Sequence, residues 1–119
     1  MLLCGYAGIR TRFNALFLAL TQNSLRVEIE KFFEVKFRGK VIGRYSADLI
    51  VENTVIVELK CCEHLLRDHQ AQVINYLTVA QLPAGLLINF RHRKLEYKRL
   101  RNQEIIDFQE KCTEEKLPF

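Results

Sequence analysis

Apolar and polar residues alternate with two different periods along the chain, and the changes of period predict the order of its first elements. Residues 8–22 carry apolar side chains at helical spacing, which predicts a first helix. From residue 25 the period becomes two, so strands are predicted up to Arg38-Gly39-Lys40, which has the composition of a hairpin turn. Further strands are predicted over 41–51 and 54–61.

The second half of the chain returns to a helical period before one more strand. Residues 64–80 predict an amphipathic helix, in which His69, Gln72 and Tyr76 form a polar second stripe beside the apolar one. The short apolar run 85–90 predicts a central strand. A last helix is predicted over 103–112, with its apolar side chains turned inward: Ile105, Ile106 and Phe108. The order α-β-β-β-α-β with a C-terminal appendage predicts an α/β fold with a mixed central sheet.

The strands at 41–51 and 54–61 are apolar on both faces, which predicts central strands covered on two sides. In the first of them, strict alternation predicts that Ala47, Leu49 and Val51 point to one face of the sheet and Ile50 to the other.

Three charged residues interrupt this apolar pair of strands: Asp48, Glu58 and Lys60. Glu58 and Lys60 share a face because they are two residues apart in one strand. If the turn centres on Asn53, Val51 lies opposite Val55 and Asp48 lies opposite Glu58, with Cβ atoms roughly 4.5–5.5 Å apart. A register shifted by one residue would place the two acids on opposite faces.

Two carboxylates at that separation repel each other unless a proton, a cation or a metal ion intervenes. Lys60 alone could neutralise them as an ion pair, and charged residues at a strand end facing solvent are a further explanation. A divalent cation is the third solution, because Mg²⁺ binds one or two carboxylates together with water and substrate phosphate. Lys60 would then orient the attacking water or stabilise charge on the phosphate.

Length and composition favour one globular domain over residues 1–119, with a core over about 8–90 and a basic strand and C-terminal helix over about 91–112. Of the 119 residues, 49% are apolar and 27% charged, and no apolar run is long enough to cross a bilayer. We therefore expect a cytoplasmic protein that does not contact membranes. The cysteines lack zinc-like spacing, so we interpret them as reduced core thiols, and a zinc site at Cys61, Cys62, His64 and His69 is the weaker alternative.

The positive charge is concentrated in residues 91–101, which hold six Arg or Lys against one Glu, a local charge of +5. This pattern predicts a phosphate-binding surface built from Arg91, Arg93, Lys94 and Lys98. The alternative is a solvated edge strand whose charges discourage aggregation.

The spacing D-x9-E-x-K, formed by Asp48, Glu58 and Lys60, resembles the signature of the PD-(D/E)XK nuclease superfamily. The element Gln72-x3-Tyr76 resembles the Q-x3-Y motif of its RecB-like members. More narrowly, three ordered blocks between about Asn14 and Phe90 resemble the small bacterial GxxExxR proteins assigned to that superfamily: GRYSADLIVENTVIVELK, DHQAQVINYL and GLLINF.

This resemblance implies a restriction-endonuclease-like αβββαβ core that hydrolyses phosphodiester bonds, as an endonuclease or an exonuclease. It implies Mg²⁺ or Mn²⁺ held by Asp48, Glu58 and the backbone carbonyl of Leu59, with Lys60 as catalytic base or charge stabiliser. Gln72 and Tyr76 would line the substrate side. The expected substrate is DNA, with RNA as an alternative. His69 is either a phosphate contact or a hydrogen-bonded histidine between helix and sheet.

The sequence departs from the family in its first helix, where a glutamate is usual. The first 27 residues contain no Asp or Glu, and the family position falls on Gly8 or Ile9. An alternative function is therefore a nucleic-acid-binding module that keeps the nuclease fold without its catalysis. A third interpretation is a fragment that self-associates through apolar surface, so a homo-oligomer is compatible with the sequence.

Overall fold

A computed structural model describes residues 6–115 and contains one five-stranded mixed sheet flanked by helices. The elements are, in chain order, α1 (Tyr6–Gln22), β1 (Val27–Phe37), β2 (Lys40–Val51), β3 (Val55–Lys60), α2 (Arg67–Ala80), β4 (Ala84–Asn89), β5 (Glu96–Arg101) and α3 (Gln103–Glu115). The predicted α/β class with a mixed sheet is confirmed, and the architecture is consistent with a restriction-endonuclease-like fold. No helix between residues 6 and 115 combines the length and the apolarity that crossing a bilayer requires.

The strands lie in the order β1-β2-β3-β4-β5. Only the β3/β4 pair is parallel, because α2 carries the chain back across the sheet between them, as a parallel connection requires. The turn between β1 and β2 has Arg38 at φ 51° and Gly39 at φ 78°. Two left-handed residues in succession are what a tight hairpin needs, so the predicted turn is confirmed.

Each face of the sheet has its own apolar core. Under α2, the buried side chains are Ala47, Ile50, Ile56, Val73, Leu77, Leu82, Leu87 and Leu100. Under α1, they are Phe13, Leu49, Val57, Leu59 and Ile88. Because β2 and β3 contribute to both cores, the prediction that they are central and covered on two sides is confirmed.

The predicted orientation of Ala47 is wrong. Ala47 packs with Ile50 in the core under α2, whereas Leu49 belongs to the core under α1. The strict alternation of β2 is therefore lost at Asp48. On the neighbouring strand β1, Glu30 has a left-handed φ of 50°, and the register passes from Ile29↔Leu49 to Lys31↔Ala47 without a Glu30/Asp48 pair. An irregularity of this kind redirects a side chain, as strand bulges near functional sites do.

The prediction that Phe108 points inward is also wrong, because its side chain is 65% exposed. Ile105 and Ile106 are half-buried, as expected. The helix α3 begins directly after the edge strand β5, where the Asn102 amide donates to Pro83 O. Phe108 instead lines an open pocket between α3 and the end of α2, together with Gln81, Glu104, Ile105 and Gln109.

Candidate active site

The two acids of the candidate site lie where the backbone pairing of β2 and β3 ends. The pairing runs Val51↔Val55, Ile50↔Ile56 and Leu49↔Val57, which is the register that brings Asp48 toward Glu58. Beyond the last pair, carboxylate side chains accept the hydrogen bonds of backbone amides across the two strands. Oδ2 of Asp48 accepts a hydrogen bond from the Leu59 amide at 2.9 Å, and Oε1 of Glu58 accepts one from the Asp48 amide at 3.4 Å.

Glu58 is a buried acid, with only 6% of its surface exposed. Burial raises its pKa from the ordinary 4.5 to about 8, and the neighbouring charge of Asp48 adds to the increase. Its hydrogen bond with the Asp48 backbone and the positive charge of Lys60 oppose that increase. The local electrostatics therefore favour a proton or another positive charge at this position.

The end of β3 places the remaining residues of the D-x9-E-x-K spacing. Lys60 is half-buried and pairs with Asn89 of β4, while Leu59 pairs with Ile88. The Leu59 side chain packs under α1, and its amide is held by Asp48. Asp48, Glu58, Leu59 and Lys60 are thus brought together at the edge of the sheet where β3 ends.

Tyr76 of α2 joins this group through a contact that the sequence did not reveal. The rings of Tyr45 and Tyr76 stack in parallel with centroids 3.8 Å apart, and the Tyr45 hydroxyl donates to Tyr76 O at 2.8 Å. Burial, followed by the charges of Glu58 and Asp48, raises the pKa of the Tyr76 phenol. Gln72, one helical turn earlier, is exposed. In the sequence, the only feature of Tyr45 that could have indicated this contact is its position three residues before Asp48.

His69 has a structural role at the start of α2. Its Nδ1 accepts a hydrogen bond from the amide of the N-cap residue Leu66 at 2.9 Å, as the third residue of a helix does in a capping box. Because the amide can only donate, a neutral His69 carries its proton on Nε2. The hydrogen bond supports the alternative of a hydrogen-bonded histidine, and a phosphate contact through Nε2 stays a prediction.

A cavity of about 210 Å³ opens beside Asp48 on the α1 side of the sheet. It is lined by Ile9, Arg10, Phe13, Glu30, Asp48 and Leu59. Arg10 Nη1 lies 3.1 Å from Glu30 Oε1, and the guanidinium carbon of Arg10 lies 5.0 Å from the centre of the Phe13 ring. The cavity therefore places a cation from α1 in the same lining as Asp48.

Asn89 organises the two loops next to the acids, a role for which the sequence gives no signal. The side chain is completely buried, and its Oδ1 accepts from the amides of Cys62 and Arg91 at 3.1 and 3.2 Å. Its Nδ2 donates to Cys62 O at 2.8 Å and to Glu96 Oε1 at 2.9 Å. Glu96 also accepts from the Leu65 amide at 3.0 Å. The hydrogen bonds from Asn89 and Leu65 lower the pKa of Glu96.

The residues of the basic segment 91–101 do not form one stripe on one face. Arg91, Arg93 and Lys94 belong to the loop before β5, and Arg91 Nη2 lies 3.4 Å from Glu63 Oε1. In β5, Leu100 packs under α2, so Lys98 faces the α2 side and Arg99 the opposite side. The charges therefore surround an edge strand, and the loop 91–95 lies at the same end of the sheet as the acids.

The family assignment follows from a sequence comparison. Residues 11–100 match the family model of the PD-(D/E)XK nuclease superfamily, which is most of the chain. The chain belongs to the PD-(D/E)XK nuclease superfamily. The matched region contains the paired acids and Lys60, and it ends before α3 begins.

Solved structures show the same fold, although their sequences are distant. The crystal structure of SSO0001 is 19% identical, has a TM-score of 0.62 and covers 90% of this chain. The alkaline exonuclease LHK-Exo from Laribacter hongkongensis is 13% identical with a TM-score of 0.58, and its complex with dAMP has a TM-score of 0.60; each covers 88% of this chain. This chain spans 58% to 61% of the length of those structures. A search of curated protein sequences found no match.

Nucleases of the PD-(D/E)XK superfamily generally use divalent metal ions, and the donors present here fit such an ion. Asp48 and Glu58 supply hard oxygen ligands, which suit Mg²⁺ or Mn²⁺. Across residues 6–115, no group of three or more His, Cys, Asp or Glu side chains could hold a metal. The zinc alternative therefore gains no support, and a bound ion would need backbone, water or phosphate oxygens to complete its coordination.

Proposed function

We propose that this chain is a metal-dependent nuclease domain that hydrolyses phosphodiester bonds of nucleic acid, with DNA as the substrate to test first. The observation that carries the proposal is the pair of hydrogen bonds by which Asp48 and Glu58 are held at the end of the β2/β3 pairing, next to Lys60. Two acids in a partly buried setting are electrostatically costly, and a divalent cation would remove that cost.

Asp48 and Glu58 would hold Mg²⁺ or Mn²⁺, together with the backbone carbonyl of Leu59. When bound, the ion would polarise the phosphate and lower the pKa of a water molecule. Lys60 would stabilise the negative charge that develops on the phosphate, or orient the attacking water. Attack at phosphorus breaks one P–O bond, and the leaving oxygen takes a proton.

The α2 residues Gln72 and Tyr76 would contact the substrate, as in the Q-x3-Y element of RecB-like nucleases. The Tyr45 stack supports this role for Tyr76, because it fixes the ring against β2. The three blocks of the GxxExxR resemblance contain all of these residues, so we propose that group of nucleases as the nearest functional class.

The loop 91–95 would bind the phosphate backbone on either side of the cleavage point. Arg93 and Lys94 are exposed there, and the hydrogen bonds of Asn89 place this loop beside the end of β3. The structure of LHK-Exo in complex with dAMP is that of a fold relative with a nucleotide bound, which makes nucleic acid the natural ligand to test.

The proposal is tested by cleavage of supercoiled plasmid and single-stranded DNA in Mg²⁺ or Mn²⁺. The parent should cut, while Asp48→Asn and Lys60→Ala should lose activity by at least about 100-fold. Asp68→Asn removes an exposed acid from α2 and is the matched control, which should cut like the parent. Melting temperatures of all variants would show whether each is folded.

The binding-module alternative predicts a different result from the same proteins. The parent would bind DNA with an affinity that falls steeply as the salt concentration rises. Neither the parent nor any variant would cleave DNA in the presence of Mg²⁺ or Mn²⁺. Cleavage that persists in Asp48→Asn and Lys60→Ala would instead indicate a contaminating nuclease and contradict the proposal.

A further inference from the structure

The helix α1 contributes a cation, and no acid, to the cavity beside Asp48. Tyr6–Gln22 contains no Asp or Glu, while Arg10 lines the same cavity as Asp48 and Leu59. A positive side chain at this place cannot bind a metal ion, but it can bind the substrate group on which the metal acts.

Arg10 is held in place by two neighbouring side chains, those of Glu30 and Phe13. Glu30 accepts from Nη1 at 3.1 Å, and Phe13 lies under the guanidinium at 5.0 Å from its ring centre. The Glu30 backbone is left-handed, with φ 50°, at the point where the β1/β2 register omits the Glu30/Asp48 pair. The same irregularity that redirects Asp48 therefore also places the carboxylate that holds Arg10.

The arrangement leaves most of the guanidinium available. The Arg10 side chain is 46% exposed, and only one of its five N–H donors is used by Glu30. An exposed ion pair of this kind contributes little to folding stability. A planar guanidinium with free donors facing an open cavity is suited to bind two phosphate oxygens at once.

We propose that Arg10 binds a phosphate of the nucleic-acid strand in the cavity beside Asp48, and so supplies from α1 a second positive charge for the cleavage site. This inference rests on the proposed nuclease function. It makes α1 part of the substrate-binding surface, and it adds a cation to a cavity that is also lined by the acidic residues Glu30 and Asp48.

The test compares Arg10→Ala with Arg12→Ala. Arg12 is on the same helix, and its guanidinium lies 5.4 Å from the centre of another aromatic ring, that of Phe90, but it does not line the cavity. The probe is a fluorescein-labelled single-stranded oligothymidylate in CaCl₂, with a gel to verify that it stays intact. Binding and its salt dependence are measured by fluorescence anisotropy, and cleavage is measured separately in Mg²⁺.

Arg10→Ala should weaken probe binding by about 10- to 100-fold. The slope of log K against log salt concentration should become shallower by the amount expected for the loss of about one phosphate contact. Arg10→Lys should recover part of the affinity, because it restores charge without the planar donors. Arg12→Ala should lower the affinity clearly less than Arg10→Ala.

Equal binding and cleavage by Arg10→Ala and the parent would overturn the inference while leaving the nuclease function intact. A parent that neither binds nor cuts would overturn both.

Discussion

Glu58 Oε1 accepts a hydrogen bond from the backbone amide of Asp48 at 3.4 Å, so the two acids are joined directly across the end of the β2/β3 pairing. The carboxylate of Asp48 in turn accepts from the amide of Leu59. Each acid is therefore fixed by the strand that carries the other. The positions of the acids are set by the fold, and the repulsion between them is the part that a bound cation would relieve.

The stability of the metal-free protein should fall as the pH rises from about 4.5 to about 8. Glu58 keeps its proton up to about pH 8 in the folded state, while its ordinary pKa is 4.5, so the folded state binds more protons in this interval and loses stability as they leave. Urea unfolding in EDTA at pH 5 and pH 8 measures the difference. Glu58→Gln should remove most of the fall, and Asp48→Asn should reduce it. An unchanged fall in Glu58→Gln would assign the effect to other groups.

Divalent cations should stabilise the protein at pH 8 through Asp48 and Glu58. A ligand that binds only the folded state raises the free energy of unfolding in proportion to the logarithm of its concentration. The melting temperature of the parent should therefore rise with MgCl₂ or MnCl₂, and that of Asp48→Asn should not. NaCl at equal ionic strength separates binding from general screening. The same rise in both proteins would place the ion elsewhere.

Removing the Asn89 side chain should destabilise the protein by about 3 kcal/mol, because a buried group with four hydrogen bonds is lost. Asn89→Ala should also weaken DNA binding, since the loops that follow β3 and β4 lose their common anchor. Asn75→Ala, at an exposed position of α2, is the control and should change stability by less than about 0.5 kcal/mol. Urea unfolding measures both. Equal stabilities would show that the network contributes nothing net.

Gly85 should not tolerate a side chain, whereas Gly43 should. A Cβ atom at Gly85 would lie 2.8 Å from Cγ1 of Val73, which is fully buried and cannot move aside. Gly85→Ala should therefore cost about 1–3 kcal/mol. At Gly43 the nearest atom would be 3.9 Å away, so Gly43→Ala should be neutral or slightly stabilising. Thermal unfolding compares the two, and equal melting temperatures would refute the packing argument.

Charge reversal in the loop 91–95 should weaken nucleic-acid binding. Arg93→Glu with Lys94→Glu removes two cations from the end of the sheet that carries the acids. The dependence of the binding constant on salt concentration should decrease by the amount expected for the loss of about two phosphate contacts. Arg38→Glu with Lys40→Glu makes the same change of charge at the β1/β2 turn. If both double variants bind DNA equally, general charge and not the position of the loop determines affinity.

The sequence predicted the fold well because its signals are local. Apolar residues on both faces of β2 and β3 indicated central strands. Of the two registers that the sequence left open, the structure has the one with Val51 opposite Val55. The register mattered most, because a shift of one residue would have separated Asp48 from Glu58.

The parts that the sequence did not predict depend on contacts between distant segments. The break in alternation at Asp48 accompanies a left-handed residue on another strand, Glu30, for which a glutamate gives no signal. Asn89 bonds to residues 27 positions earlier and 7 positions later, and its amide is inconspicuous in an apolar strand. The exposure of Phe108 depends on how α3 is placed beside Gln81 at the end of α2, which periodicity alone does not contain.

The short connection Glu52-Asn53-Thr54 determines whether a homologue can keep the proposed activity. It sets the β2/β3 register, with Glu52 and Asn53 both left-handed. Deleting a single codon there would shift the register by one residue and turn one acid to the far side of the sheet. Asp48, Glu58 and Lys60 would all still be present, and only the number of residues between Asp48 and Glu58 would change. A homologue could thus lose catalysis through a change in a solvent-exposed turn, and an inventory of its acidic and basic residues would not reveal the loss.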